Sequence, residues 1–356
     1  MPRIRVLLAE DSLTVRKHLL EILESDPDIE VIGEAEDGKQ VIALCRDLRP
    51  DVITMDMMMP VMSGLAATEY IMAHHPTPIL IVSSSTNRGE LFKTYEALAA
   101  GAIDVIEKPD GGDEDEAWIR HFLSSVKIAS RIRVITHPRA RLGLARPRPD
   151  QVSSRTEPQT RHHSRELIAL GASTGGPGAL VDVLRALPRT MTLPILFVLH
   201  ISEPFGLSFA DWLDGQVDRS VAYAAEGEPV TAAAGRVLMA PPGVHMIVRD
   251  GRVRLIDAAE RHSCRPSVDV LFESVAQNYG PAAIAALLTG MGRDGAAGLL
   301  EIRRAGGATI AQDEASSIVY GMPREARLIG AAERILPLGE IGPALVSLAS
   351  ANGTTR

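Results

Sequence analysis

Residues 167–187 read LIALGASTGGPGALVDVLRAL, and this segment predicts a buried strand, a tight glycine-rich turn and a helix, in that order. Residues 167–170 are an apolar run, and apolar residues recur at helical spacing from residue 179 onward. Ser173 lies on the turn, near the positive end of the predicted helix dipole. On such a turn the serine hydroxyl projects from the carboxyl end of the strand, and a nucleophilic serine requires this exposure. Nearby backbone N–H groups also stabilise the negative charge that develops in the reaction.

The turn by itself leaves two functions open. Glycine-rich turns between a strand and a helix also bind phosphate groups, so GASTGG is compatible with a nucleotide-binding module. Residues 171–175 also fit the pattern G-x-S-x-G, although this pattern is short and common. The lysine of G-x-x-x-x-G-K-[ST] and a clean G-x-G-x-x-G are both missing from the segment. Two segments further along the chain favour the nucleophile.

Two later apolar runs end in residues that would complete a catalytic triad. Residues 193–199 (LPILFVL) lead to His200, and residues 282–288 lead to Asp294 in TGMGRDG, before a helical pattern that begins around residue 296. If these strands are parallel neighbours of residues 167–170, then Ser173, His200 and Asp294 share one edge of the sheet. Their order along the chain is not the Ser, Asp, His order of α/β-hydrolases.

His245 is a rival candidate for the base. It lies between two β-like runs, VLMA and MIVRDGRVRLI, which are typical of a hairpin rather than of neighbouring parallel strands. His200 is therefore preferred, because it directly follows a predicted parallel strand.

The first part of the chain alternates between strand-like and helical patterns. The predicted strands are residues 6–9, 30–33, 52–55, 79–82 and 105–106, with helices such as 15–23 and 41–48 between them. Five such units predict an α/β fold with a five-stranded, doubly wound parallel sheet, which binds its ligands beyond the carboxyl ends of the strands. The polar residues that follow these strands are Glu10, Asp11, Asp56, Ser83 and Lys108.

These polar residues predict a metal and phosphoryl site. Three carboxylates on one edge repel each other unless a hard cation lies among them, and oxygen ligands of this kind suit Mg²⁺. Lys108 adds a positive charge that can pair with a phosphoryl group. A single aspartate at a strand end is commonly a helix N-cap, but the whole set is not explained in that way.

Length and composition predict two domains without membrane or nucleic-acid contacts. We expect one domain at residues 1–127 and a second at residues 165–356, joined by a basic, proline-containing linker at residues 128–164. The second domain is also predicted to be α/β, with a mostly parallel sheet. The formal net charge of −8 disfavours nucleic acid as a partner. No signal-peptide pattern or bilayer-spanning apolar run is found, and two distant cysteines, Cys45 and Cys264, suit a reducing cytoplasm.

The motifs AEDSLTVRKHL, DVITMDMMMPVMSGL, ILIVSSST and AIDVIEKP resemble the receiver domain of two-component response regulators. The resemblance implies that Asp56 accepts a phosphoryl group from a histidine kinase and that Mg²⁺ is held by Glu10, Asp11 and Asp56. It further implies that Lys108 and Ser83 stabilise the phosphoryl oxygens. Val105 stands where many receivers have an aromatic switch residue, and Glu10 where many have aspartate.

The motifs GASTGGPGAL, LPILFVLHIS, MAPPGVHM, CRPSVDVLFESVA, LLTGMGRDGAAGL and QDEASSIVYGMPREA resemble the catalytic domain of the CheB methylesterase family. The resemblance implies the triad Ser173, His200 and Asp294, with backbone amides near Thr174 and Met291 binding the oxyanion. It implies a cytoplasmic enzyme, without a cofactor in its catalytic domain, that hydrolyses glutamyl γ-methyl esters on chemoreceptor helices and deamidates receptor glutamines. It also implies that the unphosphorylated receiver covers the catalytic edge.

Two further alternatives remain at this point. The chain could serve another chemosensory-type signalling system, or it could be a catalytically silent regulator that only binds receptors. The complete Ser, His and Asp set argues against a silent regulator.

Overall fold

The computed structural model describes residues 2–84, 87–109, 116–132, 134, 164–201 and 203–350. These residues form two α/β units, each built on its own parallel sheet. Most of the predicted linker lies outside the described residues. The last helix of the first unit ends at Ala129, two residues into the predicted linker.

The first unit contains the predicted five-stranded parallel sheet. Along the chain its elements are β1 (Ile4–Ala9), α1 (Leu13–Glu24), β2 (Ile29–Ala35), α2 (Gly38–Leu48), β3 (Val52–Met55), α3 (Gly64–His74), β4 (Ile79–Ser83), α4 (Arg88–Ala99), β5 (Asp104–Glu107) and α5 (Glu116–Ala129). The strands have the order β2-β1-β3-β4-β5 in the sheet. All five predicted strands are confirmed, and most extend one or two residues beyond the predicted runs, because backbone pairing continues there.

The second unit contains a seven-stranded parallel sheet. Its elements begin with β6 (Leu167–Ala172), α6 (Gly176–Arg185), β7 (Ile195–Leu199), α7 (Phe209–Asp214), β8 (Val221–Tyr223) and β9 (Val237–Met239). They continue with β10 (His245–Arg249), β11 (Arg252–Ile256), α8 (Val268–Tyr279), β12 (Ala283–Leu287), α9 (Ala296–Arg304), β13 (Ala308–Gln312), α10 (Met322–Leu328), β14 (Arg334–Leu336) and α11 (Leu338–Ser350). The strands of the main sheet have the order β14-β13-β12-β6-β7-β9-β8. The predicted α/β class with a mostly parallel second sheet is confirmed.

The hairpin predicted around His245 lies slightly further along the chain. β10 and β11 form a separate antiparallel pair in which His245 is opposite Ile256. Both strands of the hairpin therefore come from MIVRDGRVRLI, whereas VLMA belongs to β9, which pairs with β7 in the main sheet. The aspartate–glycine turn at Asp250 and Gly251, both at positive φ, makes this tight reversal possible.

The two units pack against each other through helices. α4 of the first unit contacts α6 and α7 of the second. The apolar core is continuous across this contact, since one cluster of buried side chains includes Leu98 of the first unit and Leu180 and Phe209 of the second. Within the described part of the chain, no helix is long and apolar enough to cross a membrane.

Candidate active site

The carboxyl ends of three adjacent strands carry the predicted triad. β6 lies between β12 and β7, and Ala172 pairs with Leu199 in the last register position of β6 and β7. The residues that follow are held by backbone hydrogen bonds: Ser173 N donates to Thr289 O at 3.0 Å, and His200 N donates to Ala172 O at 3.0 Å. Ser173 and His200 both line one cleft of about 540 Å³. The structure therefore brings the predicted nucleophile and base to the same edge.

Asp294 contacts His200 directly. The Nε2 atom of His200 lies 2.9 Å from Oδ2 of Asp294, whose carboxylate is 2% exposed. Burial alone lowers the pKa of His200, but the hydrogen bonds with Asp294 and Cys264 outweigh it and raise this pKa to about 9. Burial raises the pKa of Asp294, yet the hydrogen bonds that it accepts, first from His200, bring it below its usual value. Asp294 is thus a fixed negative charge that orients His200 and stabilises its protonated form.

The Asp294 carboxylate is held at the start of α8. It accepts hydrogen bonds from Ser267 Oγ at 2.8 Å, from Val268 N at 2.7 Å and from Asp269 N at 3.1 Å. The free N–H groups at a helix N-terminus favour an anion, so this position stabilises the ionised carboxylate. Sequence reasoning did not identify Ser267, although a serine just before the helical pattern VDVLFESV is an N-cap signal.

The two other histidines of this region have structural partners. His245 is buried, its Nε2 lies 3.0 Å from Ala259 O, and its Nδ1 accepts from Ser267 N at 3.1 Å. His262 lies with Nε2 3.2 Å from Asp269 Oδ2. Both rings therefore brace the loop before α8, and His245 is not positioned as the base.

Close backbone packing shapes the turn that carries Ser173. Gly175 has a φ of +77°, a backbone conformation that favours glycine. At Gly290, an added Cβ would lie 2.7 Å from Ser173 Cβ. The loop after β12 therefore packs directly on Ser173. Thr174 lines the cleft with Ser173, and Met291, which follows Gly290, has an exposed side chain.

The first unit has an acidic cluster at the carboxyl edge of its sheet. Glu10, Asp11 and Asp56 place one carboxylate oxygen each within 4.8 Å of the others. Lys108 Nζ lies 2.9 Å from both Glu10 Oε2 and Asp56 Oδ1. Burial raises the pKa of Glu10 and of Asp56, and repulsion between the carboxylates adds to this effect. Three hard oxygen donors beside a single lysine fit a divalent cation such as Mg²⁺.

Ser83 has a different partner in this structure. Its hydroxyl donates to Glu90 Oε1 at 2.8 Å and accepts from Thr94 Oγ1 at 3.3 Å, both on α4. The predicted contact with a phosphoryl group at Asp56 would require the Ser83 hydroxyl to exchange Glu90 for the new anion.

Residues of the first unit form part of the cleft that holds Ser173. Asp104, Val105 and His121 line it together with the residues of the second unit. Val105 lies on β5, and Lys108 directly follows this strand, so β5 connects the edge that carries Lys108 with the cleft that Ser173 lines.

Comparisons with known proteins find a separate family match in each of the two units. A family model described as CheB methylesterase matches residues 168–345, and one described as response regulator receiver domain matches residues 6–117. The chain is 43% identical over 357 residues to a protein from Nitrosospira multiformis named protein-glutamate methylesterase/protein-glutamine glutaminase, with 99% of each chain covered. A relative from Anaeromyxobacter dehalogenans, also named protein-glutamate methylesterase/protein-glutamine glutaminase, is 42% identical, with 97% of each chain covered. The crystal structure of the Thermotoga maritima CheB methylesterase catalytic domain is 33% identical, with 52% of this chain and 100% of that chain covered at a TM-score of 0.49.

Proposed function

The chain belongs to the CheB methylesterase family, and we propose that it is a phosphorylation-activated serine esterase that hydrolyses glutamate γ-methyl esters on chemoreceptors. The observation that carries the proposal is the contact between His200 and the buried, helix-anchored Asp294, at the edge that also presents Ser173. By the same acyl route the enzyme deamidates receptor glutamines, as the names of its relatives suggest.

The two ring nitrogens of His200 have separate tasks in this proposal. Because Nε2 faces a carboxylate acceptor, it carries a proton, so the lone pair of the neutral ring is on Nδ1. Nδ1 accepts the proton of the Ser173 hydroxyl as its oxygen attacks the ester carbonyl, and later returns that proton to the leaving methanol. Asp294 stabilises the imidazolium that exists between these two steps. Water then hydrolyses the acyl-serine by the same base.

Backbone amides near Thr174 and Met291 bind the oxyanion of the tetrahedral intermediate. The contact between Gly290 and Ser173 supports this assignment, because it brings the backbone of the loop after β12 beside the nucleophile. The positive end of α6 faces the same place and adds to the stabilisation.

The receiver unit supplies the regulation. Glu10, Asp11 and Asp56 would hold Mg²⁺, which offsets negative charge on a phosphoryl group when bound. Asp56 is the acceptor, a histidine kinase is the donor, and Lys108 pairs with the phosphoryl oxygens. Unphosphorylated, the receiver restricts the cleft, as the lining by Asp104, Val105 and His121 suggests. Since receptor signalling helices and the kinase lie in the cytoplasm, we place the protein there.

The nucleotide-binding alternative has no comparable support. The first turn of α6 is buried, and a Cβ at Gly178 would lie 2.9 Å from the carbonyl oxygen of Ala99 in the receiver unit. A bound phosphate would compete with this packing.

Release of methanol from methylated receptor tests the proposal. Ser173→Ala should reduce the rate by about four to six orders of magnitude, as loss of a triad nucleophile does. Ser263→Ala, which removes another hydroxyl from the same cleft, should keep a rate of the same order as wild type. Near-normal demethylation by a folded Ser173→Ala protein would reject the assignment.

A further inference from the structure

The cleft contains a thiol that the proposed reaction does not use. Cys264 lies on the segment between β11 and α8, is partly exposed, and lines the cleft together with Ser173 and His200. Its Sγ atom lies 3.7 Å from Nδ1 of His200, the nitrogen that faces away from Asp294. The His200 nitrogen that serves as the proposed base is therefore in hydrogen-bond contact with a cysteine sulfur in a solvent-accessible cleft.

This separation suits a tetrahedral metal ion. Zinc bonds of about 2.0–2.1 Å to nitrogen and 2.3 Å to sulfur, at a tetrahedral angle, place the two ligand atoms about 3.6 Å apart. One carboxylate oxygen of Asp294 also lies within 4.8 Å of a ring nitrogen of His200 and of the sulfur of Cys264. Because Asp294 accepts from Nε2 of His200, it already occupies the place of the carboxylate that orients a zinc-bound histidine.

We propose that Zn²⁺ binds between His200 Nδ1 and Cys264 Sγ and inhibits the enzyme reversibly. Water completes the coordination from the cleft, and the Cys264 thiol and the Nδ1–H of a protonated His200 release their protons to solvent as the Zn–S and Zn–N bonds form. The bound ion takes the lone pair of Nδ1, so His200 can no longer accept the proton of Ser173. The inhibition rests on the proposed esterase mechanism, whereas the metal binding does not.

Two measurements on the full-length protein test the site. The first is zinc inhibition of methanol release, with excess Mg²⁺ present to saturate the receiver cluster and without a phosphoryl donor. Each variant is compared with its own rate in the absence of zinc. Loss of even an outer partner of a metal site typically weakens metal affinity about 10- to 100-fold. Cys264→Ala should therefore raise the half-inhibitory zinc concentration at least about tenfold. Cys45→Ser, which alters the buried cysteine of the receiver unit, should leave that concentration unchanged.

The second measurement reports binding even if the esterase were inactive. Cobalt replaces zinc in such sites and gives a thiolate-to-cobalt charge-transfer absorption in the near ultraviolet. Wild type and Cys45→Ser should show this band, and Cys264→Ala should not. A band that persists in Cys264→Ala, or no band in wild type, would overturn the site. Equal zinc sensitivity of wild type and Cys264→Ala, or cobalt binding without zinc inhibition, would overturn the inhibitory role.

Discussion

At the scale of single residues, the site depends on which nitrogen of His200 carries the proton. The 2.9 Å contact with Asp294 assigns the proton to Nε2, and the three donors around Asp294 keep that carboxylate ionised despite its burial. Asp294 therefore sets both the tautomer and the basicity of His200. Removing either partner would leave the other buried with an unmet hydrogen bond.

The raised pKa of His200 predicts the pH dependence of the esterase. Burial opposes the shift, but the hydrogen bonds with Asp294 and Cys264 raise the pKa to about 9. The protonated ring cannot accept the proton of Ser173, so kcat/KM should rise with increasing pH, and the midpoint of this rise should lie well above pH 6.5. Cys264→Ala removes one of the stabilising partners and should move that midpoint to lower pH. A wild-type midpoint at or below 6.5 in the pH profile would contradict this account.

At the scale of elements, function follows from where three parallel strands end. The apolar runs of the sequence predicted β6, β7 and β12. Parallel pairing brings the carboxyl ends of these strands to one edge of the sheet, so the sequence was sufficient to predict that Ser173, His200 and Asp294 lie close together. The anchoring of Asp294 by α8 could not be predicted in this way. Asp294 lies in the loop after β12, and its partners at the start of α8 lie 25 to 27 residues earlier in the chain, so no local spacing links them.

The same limit applies to Cys264 and to the β10–β11 hairpin. Cys264 lies in an irregular segment, so no repeat pattern indicates which way its side chain faces. For the hairpin, the alternation of apolar residues does not show whether β10 pairs with VLMA or with β11. Only the tertiary structure shows that VLMA joins the main sheet.

Close contact between elements predicts the effect of Gly290→Ala. The added methyl group would lie 2.4 Å from Met322 Sδ and 2.7 Å from Ser173 Cβ, so both the methionine side chain and Ser173 must move. A displacement of about 1 Å can cost about 100-fold in rate, whereas overpacking typically costs only about 1–3 kcal/mol of stability. We expect methanol release to fall by roughly two orders of magnitude with a modest loss of Tm. Gly339→Ala, where nothing lies within 4 Å of the added methyl, is the control and should preserve both. Activity of Gly290→Ala within a few-fold of wild type would refute the packing argument.

At the scale of the whole molecule, the receiver is in contact with the catalytic unit. Tyr95 on α4 is buried, stacks edge-on against Phe209 at 5.4 Å, and donates its hydroxyl to Phe205 O at 2.5 Å. Arg88 forms an ion pair with Asp211 at 2.9 Å, but both side chains are largely exposed and contribute little. The interface is therefore held mainly by the aromatic packing and the Tyr95 hydrogen bond. Nothing in the amphipathic pattern of α4 distinguishes Tyr95 from an ordinary core residue, so this contact was not predictable from the sequence.

Weakening this interface should release the catalytic cleft. A hydrogen bond contributes about 0.5–1.5 kcal/mol net, so Tyr95→Phe should raise the esterase rate without donor roughly two- to tenfold. Tyr279→Phe, which removes a hydroxyl at the end of α8, should leave that rate unchanged. An unchanged or lower rate in Tyr95→Phe would mean that this contact does not restrict the cleft.

The most direct test compares the donor-dependent rate of methanol release from methylated receptor in wild type and in Asp56→Asn. Asparagine keeps the shape of the side chain beside Lys108 but cannot hold a phosphoryl group. With acetyl phosphate and Mg²⁺, the wild-type rate should rise, and Asp56→Asn should keep its basal rate without any increase. An equal rise in both proteins would show that Asp56 does not control the esterase.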